Sequence, residues 1–391
     1  MRTSRWWSAE AMSTTTSIAS STLPAPTRAA PAGAGAVAWL KANLFSNWLS
    51  TAVTLVLGYV IIRVAIAFVE WAFIGAVWSV PYAANGVAQT AVCQEAKGTG
   101  ACWAVIADKY RLILFGRYPY YEQWRPLLAM LIFIGLYVIS AIRWFWRKEL
   151  VLIWVAALTV VGVLMWGGVF GLTPVTDDYW GGLPITLILA TFGIAFAFPL
   201  SILVALGRRS TELPAVKMLC VVFVELIRGV PLIAVLFMAS VMFPLFMPAG
   251  VNIDKLLRAQ IAIILFAAAY LAEVVRGGLQ ALPRGQTEAA DALGLSYWKK
   301  TGFIILPQAL RLVIPPLVNT FIGFFKDTSL VLIVGLFDLL TMGKVALSDP
   351  PWQGFSTEVY VTLGLIYIAF CFAMSRYSRR LERELGASQR R

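Results

Sequence analysis

The chain has 391 residues, 60% of them hydrophobic and only 13% charged, with a mean hydropathy of +0.77 and a formal net charge of +12. So little polar surface cannot cover a water-soluble globule, and the sequence is read as an all-α polytopic membrane protein. Its positive charge is spread along the ends of apolar runs, not gathered into a face for nucleic acid, and with no histidine and four scattered cysteines it offers neither a histidine-based catalytic dyad nor a Cys/His metal centre.

Residues 1–45 are rich in Ser, Thr, Ala, Pro and Gly, which predicts a disordered cytoplasmic tail; no apolar core near the start suggests a cleaved signal peptide. A helix crossing about 30 Å of hydrocarbon needs roughly 20 residues, and lipid forces each such run to satisfy its own backbone. Eight runs qualify: 49–71, 127–144, 150–170, 183–206, 216–243, 260–279, 314–340 and 359–375. The polar break GLTPVTDDYWGG divides them near residue 175, giving a three-helix extension over 46–175 and a five-helix core over 176–391. Between the first two runs, an external loop of about 79–125 is long enough for a small cap. Cys93 and Cys102 bracket CQEAKGTGAC within it and can either pair or stay free, whereas Cys220 and Cys371 fall inside helices as packing residues.

Lys and Arg favour one side. Clusters such as Arg143, Arg147 and Lys148, then Arg208, Arg209 and Lys217, and finally Arg376, Arg379, Arg380 and Arg383 all flank the ends that face the N-terminal side. By the positive-inside rule both termini are cytoplasmic.

Charges within the apolar runs are costly and therefore informative. Glu225 and Arg228 stand three apart and can neutralise one another just before Gly229 and Pro231, which invite a kink. Glu273 and Arg276 repeat the spacing nearer the cytoplasmic end. Both pairs are expected to be gating or structural charges. Arg63 lies mid-span in the first run, where it either snorkels or meets a partner subunit. Lys326 and Asp327 fall at the middle of the 314–340 run; being neighbours, they point about 100° apart. One could line a route while the other binds a neighbouring helix, and a structural ion pair is the alternative. Asn319, Thr328 and Ser329 could hydrogen-bond a zwitterion or act as packing glue.

One segment is too polar to cross and too patterned to be a linker. EAADALGLSYWKKTGFIILP reads as two short helices with Thr287 and Ser296 as N-caps, parted by Gly294, with Gly302 closing the second and Pro307 turning the chain back. Such a pair either fits a groove on another protein or only anchors the bundle at the interface.

Glu288, Ala289, Ala290, Gly294, Ile304, Leu306 and Pro307 fill every fixed position of the loop Glu-Ala-Ala, three residues, Gly, nine residues, Ile-x-Leu-Pro, and in this the chain resembles the permease subunits of ABC importers. AEVVRGGLQALPRGQTEAA, ELIRGVPLI and FFKDTSLVLIVG resemble the polar amino-acid branch over about 181–391, and the extension with FGRYPYYEQWRP resembles the larger permeases of general L-amino-acid systems. The resemblance implies an importer permease in the bacterial inner membrane, with a coupling segment of about 286–307 seated on an ATP-binding subunit. It implies that Glu288, Ala289, Ala290, Asp291, Gly294, Leu295 and Trp298 carry that contact. It further implies a second permease, a paralogue of this chain, along with an ATP-binding dimer, a periplasmic solute-binding protein and a polar L-amino acid as substrate. No phosphate loop is present, since Gly343-Lys344 is followed by Val345, so ATP and magnesium belong to the partner subunits and no cofactor to this chain. An ion-gradient-driven transporter and a membrane scaffold or sensor are the competing readings.

Overall fold

The computed structural model describes residues 35–389 except 85, 87, 249, 251 and 252. The chain folds as two units, Met1–Glu70 and Trp71–Arg391. In the first, α1 (Ala36–Asn43) precedes α2 (Trp48–Val69), whose start is fixed by Asn47 accepting from the Ser50 amide at 2.8 Å. The expected tail is therefore helical over its last stretch: the helix formers of AVAWLKAN win there over the Pro- and Ser-rich composition upstream. Residues 1–34, the rest of that tail, lie outside the described residues.

The second unit begins with a cap built on α3 (Ala91–Glu95) and α4 (Ala104–Phe115). Cys93 and Cys102 are joined as a disulfide with a Cα–Cα distance of 5.5 Å, and both are fully buried. Then come α5 (Trp124–Ala141), α6 (Glu149–Trp166), α7 (Gly182–Arg209), α8 (Pro214–Arg228), α9 (Leu232–Phe237), α10 (Phe243–Leu245) and α11 (Lys255–Ala281). After α11 the chain forms α12 (Arg284–Ala292), α13 (Tyr297–Lys300), α14 (Leu306–Leu312) and α15 (Ile314–Asp327), followed by a two-residue strand β1 (Phe337–Asp338), α16 (Leu339–Ala346) and α17 (Ser356–Gln389). Among the described residues, 7 helices are long and apolar enough to cross a membrane, or 8 if α8 and Leu232–Leu245 together make one span.

The centre of the core is α7 against α11. Ala259, Ala262, Ala267, Ala268, Ala269 and Ala272 are all buried on α11, and a face of such small side chains lets two backbones approach closely, which is what packing in lipid requires. Gly278 extends the principle to α14: a Cβ there would stand 2.7 Å from the Ala309 carbonyl oxygen. Asp254 caps α11 by accepting from the Leu256 amide at 2.8 Å, and Asp338 caps α16 by accepting from the Thr341 amide at 3.0 Å.

No compact-unit boundary falls at residue 175. Helix α5 is tied to α7 by Tyr137 and Thr191, whose hydroxyls are 2.5 Å apart, and the cap reaches the core through the Trp352 indole, which donates to Asp108 at 2.7 Å. Arg125 is fully buried and donates to the Leu164 carbonyl at 2.6 Å and the Thr173 carbonyl at 2.9 Å, so a charged side chain closes the end of α6.

Two expected continuous spans are broken. The 216–243 run bends by 105° between α8 and α9, a full break where a kink was expected, because Pro231 lacks an amide proton and forces the residue before it out of the helical region. The 314–340 run is α-helical only to Asp327, tightens into a 3₁₀ stretch over Thr328–Val334, and ends at Gly335 with φ 74°. Lys326 and Asp327 therefore close a helix instead of sitting midway along one.

Candidate functional site

The EAADALG segment forms a hairpin. Helix α12 starts at Arg284 after Pro283, four residues earlier than a Thr287 cap would allow, so Thr287 is an interior helical residue. Gly294 reverses the chain at φ 67°, a conformation that side-chain-bearing residues adopt at a cost, and the amide of Leu295 returns to the Ala290 carbonyl at 3.2 Å. Ser296 does stand at the N-cap of α13, without a side-chain cap bond.

Gly302 does not end the second helix, and Pro307 does not turn the chain. A π-helical turn over Thr301–Ile305 joins α13 to α14, and Pro307 sits in the first turn of α14, where its missing amide proton leaves no bond unmade because the wider turn has already displaced the ladder. The hairpin is clipped at two levels: Lys300 meets Asp291 at 2.5 Å, and the Gln308 amide donates to Gln286 at 3.2 Å. Lys300 thus ties α13 back to α12.

Of the residues expected to carry coupling, Glu288, Ala289, Asp291, Gly294 and Trp298 are exposed, Leu295 is half-buried, and Ala290 is buried within the hairpin. Leu293, Tyr297, Trp298 and Phe303 add an apolar ridge, with Trp298 69% and Phe303 82% exposed. Tyr297 and Trp298 pack edge to face with ring centroids 5.2 Å apart, and exposed apolar side chains beside charged ones are the kind of surface that another protein can cover.

Close by in sequence, α11 carries a charge cluster that the i, i+3 spacing only half foretold. Glu273 and Arg276 do pair, the Arg276 Nε lying 3.1 Å from Glu273 Oε2. Glu225 and Arg228 do not neutralise each other. Arg208, at the end of α7, bridges Glu225 and Glu273 at 2.8 Å each, and Arg228 reaches Glu273 at 3.8 Å while lying 5.5 Å from the centre of the Tyr270 ring. Three guanidiniums converge on one carboxylate, joining α7, α8 and α11. Arg208 was legible only as a flanking cation, because nothing in sequence spacing reports a contact 65 residues away.

The polar residues of the 314–340 run separate. Asn319 and Lys326, seven apart on α15, are both exposed; Asp327 and Ser329 are half-buried; Thr328 is buried and donates to the Phe325 carbonyl at 2.9 Å. Lys326 and Asp327 make no ion pair with each other.

The family model described as the binding-protein-dependent transport system inner membrane component matches residues 197–386. The inner membrane amino-acid ABC transporter permease protein YhdY of Escherichia coli strain K12 is 49% identical over 361 residues, covering 90% of this chain and 94% of the relative. The glutamate/glutamine/aspartate/asparagine transport system permease protein BztC of Rhodobacter capsulatus is 38% identical over 440 residues, covering 96% and 99%. A crystal structure of an amino acid ABC transporter with histidines aligns with a TM-score of 0.46 at 30% identity, over 52% of this chain and 92% of that one. The chain belongs to the permease subunits of amino-acid ABC transporters, multi-helix inner-membrane components that are not themselves catalytic.

Proposed function

We propose that this permease imports polar L-amino acids by alternating access, with ATP and magnesium held on a separate pair of ATP-binding subunits. A second, paralogous permease stands beside it, and a periplasmic solute-binding protein delivers the substrate. Both termini, the α12–α14 hairpin and the Arg208–Glu273 cluster lie on the cytoplasmic side, as the Lys/Arg bias supports. The names of the two relatives support the substrate class.

The observation that carries the reading is the exposure of Leu293, Tyr297, Trp298 and Phe303 on a hairpin that also exposes Glu288, Asp291 and Lys299. A cleft on the ATP-binding subunit covers that ridge, with Glu288, Ala289, Asp291 and Gly294 at the contact. Closure of the ATP-binding subunits moves the hairpin, and the close approach of Gly278 to Ala309 passes the displacement to α11 and its ion-pair cluster. Energy enters only through contacts that differ between the two states. Asn319 and Lys326, sharing one exposed face of α15, line the substrate route; Thr328, bonded to its own helix, serves packing.

The test uses the assembled complex carrying Glu288→Ala or Gly294→Val. Loss of both uptake and binding-protein-stimulated ATP hydrolysis in complexes that still assemble is expected. Normal uptake together with normal stimulated hydrolysis removes the coupling role.

A further inference from the structure

We propose that the end of α17 and the α5–α6 turn together form a binding site for the phosphate of an anionic phospholipid. Helix α17 carries no Lys or Arg from Ser356 to Ser375, and the character changes abruptly at Arg376. Arg376, Arg379 and Arg383 stand at i, i+3 and i+7, so they share one helix face and span about 10 Å along the axis. With Glu382 they line a cleft of about 470 Å³.

A generic excess of inner-side cations does not account for the arrangement. Arg380 is matched by Glu384 at 2.8 Å, and Glu384 also accepts from Arg143 at 3.2 Å, which fixes the 143–148 turn beside α17. Among the described residues, Arg376, Arg379, Arg383, Arg147 and Lys148 have no carboxylate within ion-pair distance. Unmatched guanidiniums along one helix face present forked donors suited to phosphate oxygens. Trp144 is 71% exposed, and the Arg147 guanidinium lies 5.8 Å from the centre of its ring. Indole rings and arginines at one depth are the furniture of the membrane–water interface, where a basic pocket between helices takes an anionic headgroup. The occupant is a lipid because the cleft opens at the foot of an apolar helix, where an acyl chain can run back along Phe372 and Ile368, which are 56% and 62% exposed.

The full chain, purified in detergent, is titrated with phosphatidylglycerol or with phosphatidylcholine of the same chains, and bound lipid is counted by native mass spectrometry. Phosphatidylglycerol is expected to be retained in preference. One cation near an anionic surface contributes about fivefold in affinity, so the combined variant Arg376→Gln, Arg379→Gln, Arg383→Gln should lose roughly a hundredfold. Glu382→Gln should gain about fivefold, which keeps the test informative if the triple variant is poorly folded, and Lys217→Gln, a cation elsewhere on the same side, should change nothing. Equal retention of the two lipids, or unchanged binding in the triple variant, overturns the proposal. Full displacement by millimolar inorganic phosphate would make the ligand a free phosphate. Displacement by added ATP-binding subunit would make it an acidic protein surface, and either result also overturns the lipid assignment.

Discussion

Glu273→Gln tests the charge cluster most sharply. The substitution keeps the shape of the side chain, leaves Arg228 and Arg276 without their shared anion, and leaves Arg208 with Glu225 alone. Removing one partner of a buried ion pair costs about 3–5 kcal/mol. The Glu273 side chain is 26% exposed and its partners are between 11% and 35% exposed, so water screens part of this, and a cost of about 2–3 kcal/mol is expected. Arg208→Gln should cost less, about 1 kcal/mol, because Glu273 keeps Arg276 and the 61%-exposed Glu225 is rehydrated. In the double variant the losses should not add: a coupling of about 1 kcal/mol is expected for groups 2.8 Å apart. Chemical unfolding of the purified chain in mixed micelles measures all three. If Arg208→Gln proves as costly as Glu273→Gln, or the two are strictly additive, the three-arginine convergence is not what holds these helices together.

Gly278→Ala should destabilise by about 1–3 kcal/mol, since its Cβ would press on the Ala309 backbone, which cannot rotate away; a neutral result in the same unfolding assay would refute the close approach of α11 and α14. Burial and the facing carboxylate of Asp254 push the Asp177 carboxyl up to about 6 from an ordinary 3.8. Between those values the folded chain holds a proton that the unfolded chain has lost, so this group's stabilisation is full below about pH 4 and disappears as pH rises through about 6; Asp177→Asn should flatten that slope in thermal unfolding, and an unchanged slope would contradict it. Reduction of the Cys93–Cys102 bridge, which closes a short loop, should cost about 2.5–3 kcal/mol in the chain-entropy account, read as a lower unfolding midpoint in reductant; equal midpoints with and without reductant would deny the bridge a stabilising role.

Much of the fold was legible in advance because lipid leaves so few options. Runs of about twenty apolar residues became helices, and the Cys93–Cys102 spacing allowed the pairing that is found. What hydropathy could not register was backbone geometry within a run. Val230 and Leu336 are as apolar as their neighbours, yet Pro231 and Gly335 beside them end the helices. Cap chemistry misled at Thr287, a good N-cap residue that stays inside α12 because Pro283 already supplies the start. Contacts between distant positions were invisible: Arg208 with Glu273, Gln286 with Gln308 and Arg143 with Glu384 all join segments that spacing rules treat separately. The helical hairpin was foreseeable from Gly294; the clips that stiffen it were not.

The central claim is that the hairpin ridge is covered by an ATP-binding subunit. With Cys220 and Cys371 replaced by alanine, Trp298→Cys gives a single thiol on that ridge, and its rate of maleimide labelling can be compared in the lone permease and in the assembled complex. Fast labelling alone and strong protection in the complex are predicted. Labelling at the same rate in both would leave the ridge open to solvent and contradict the account.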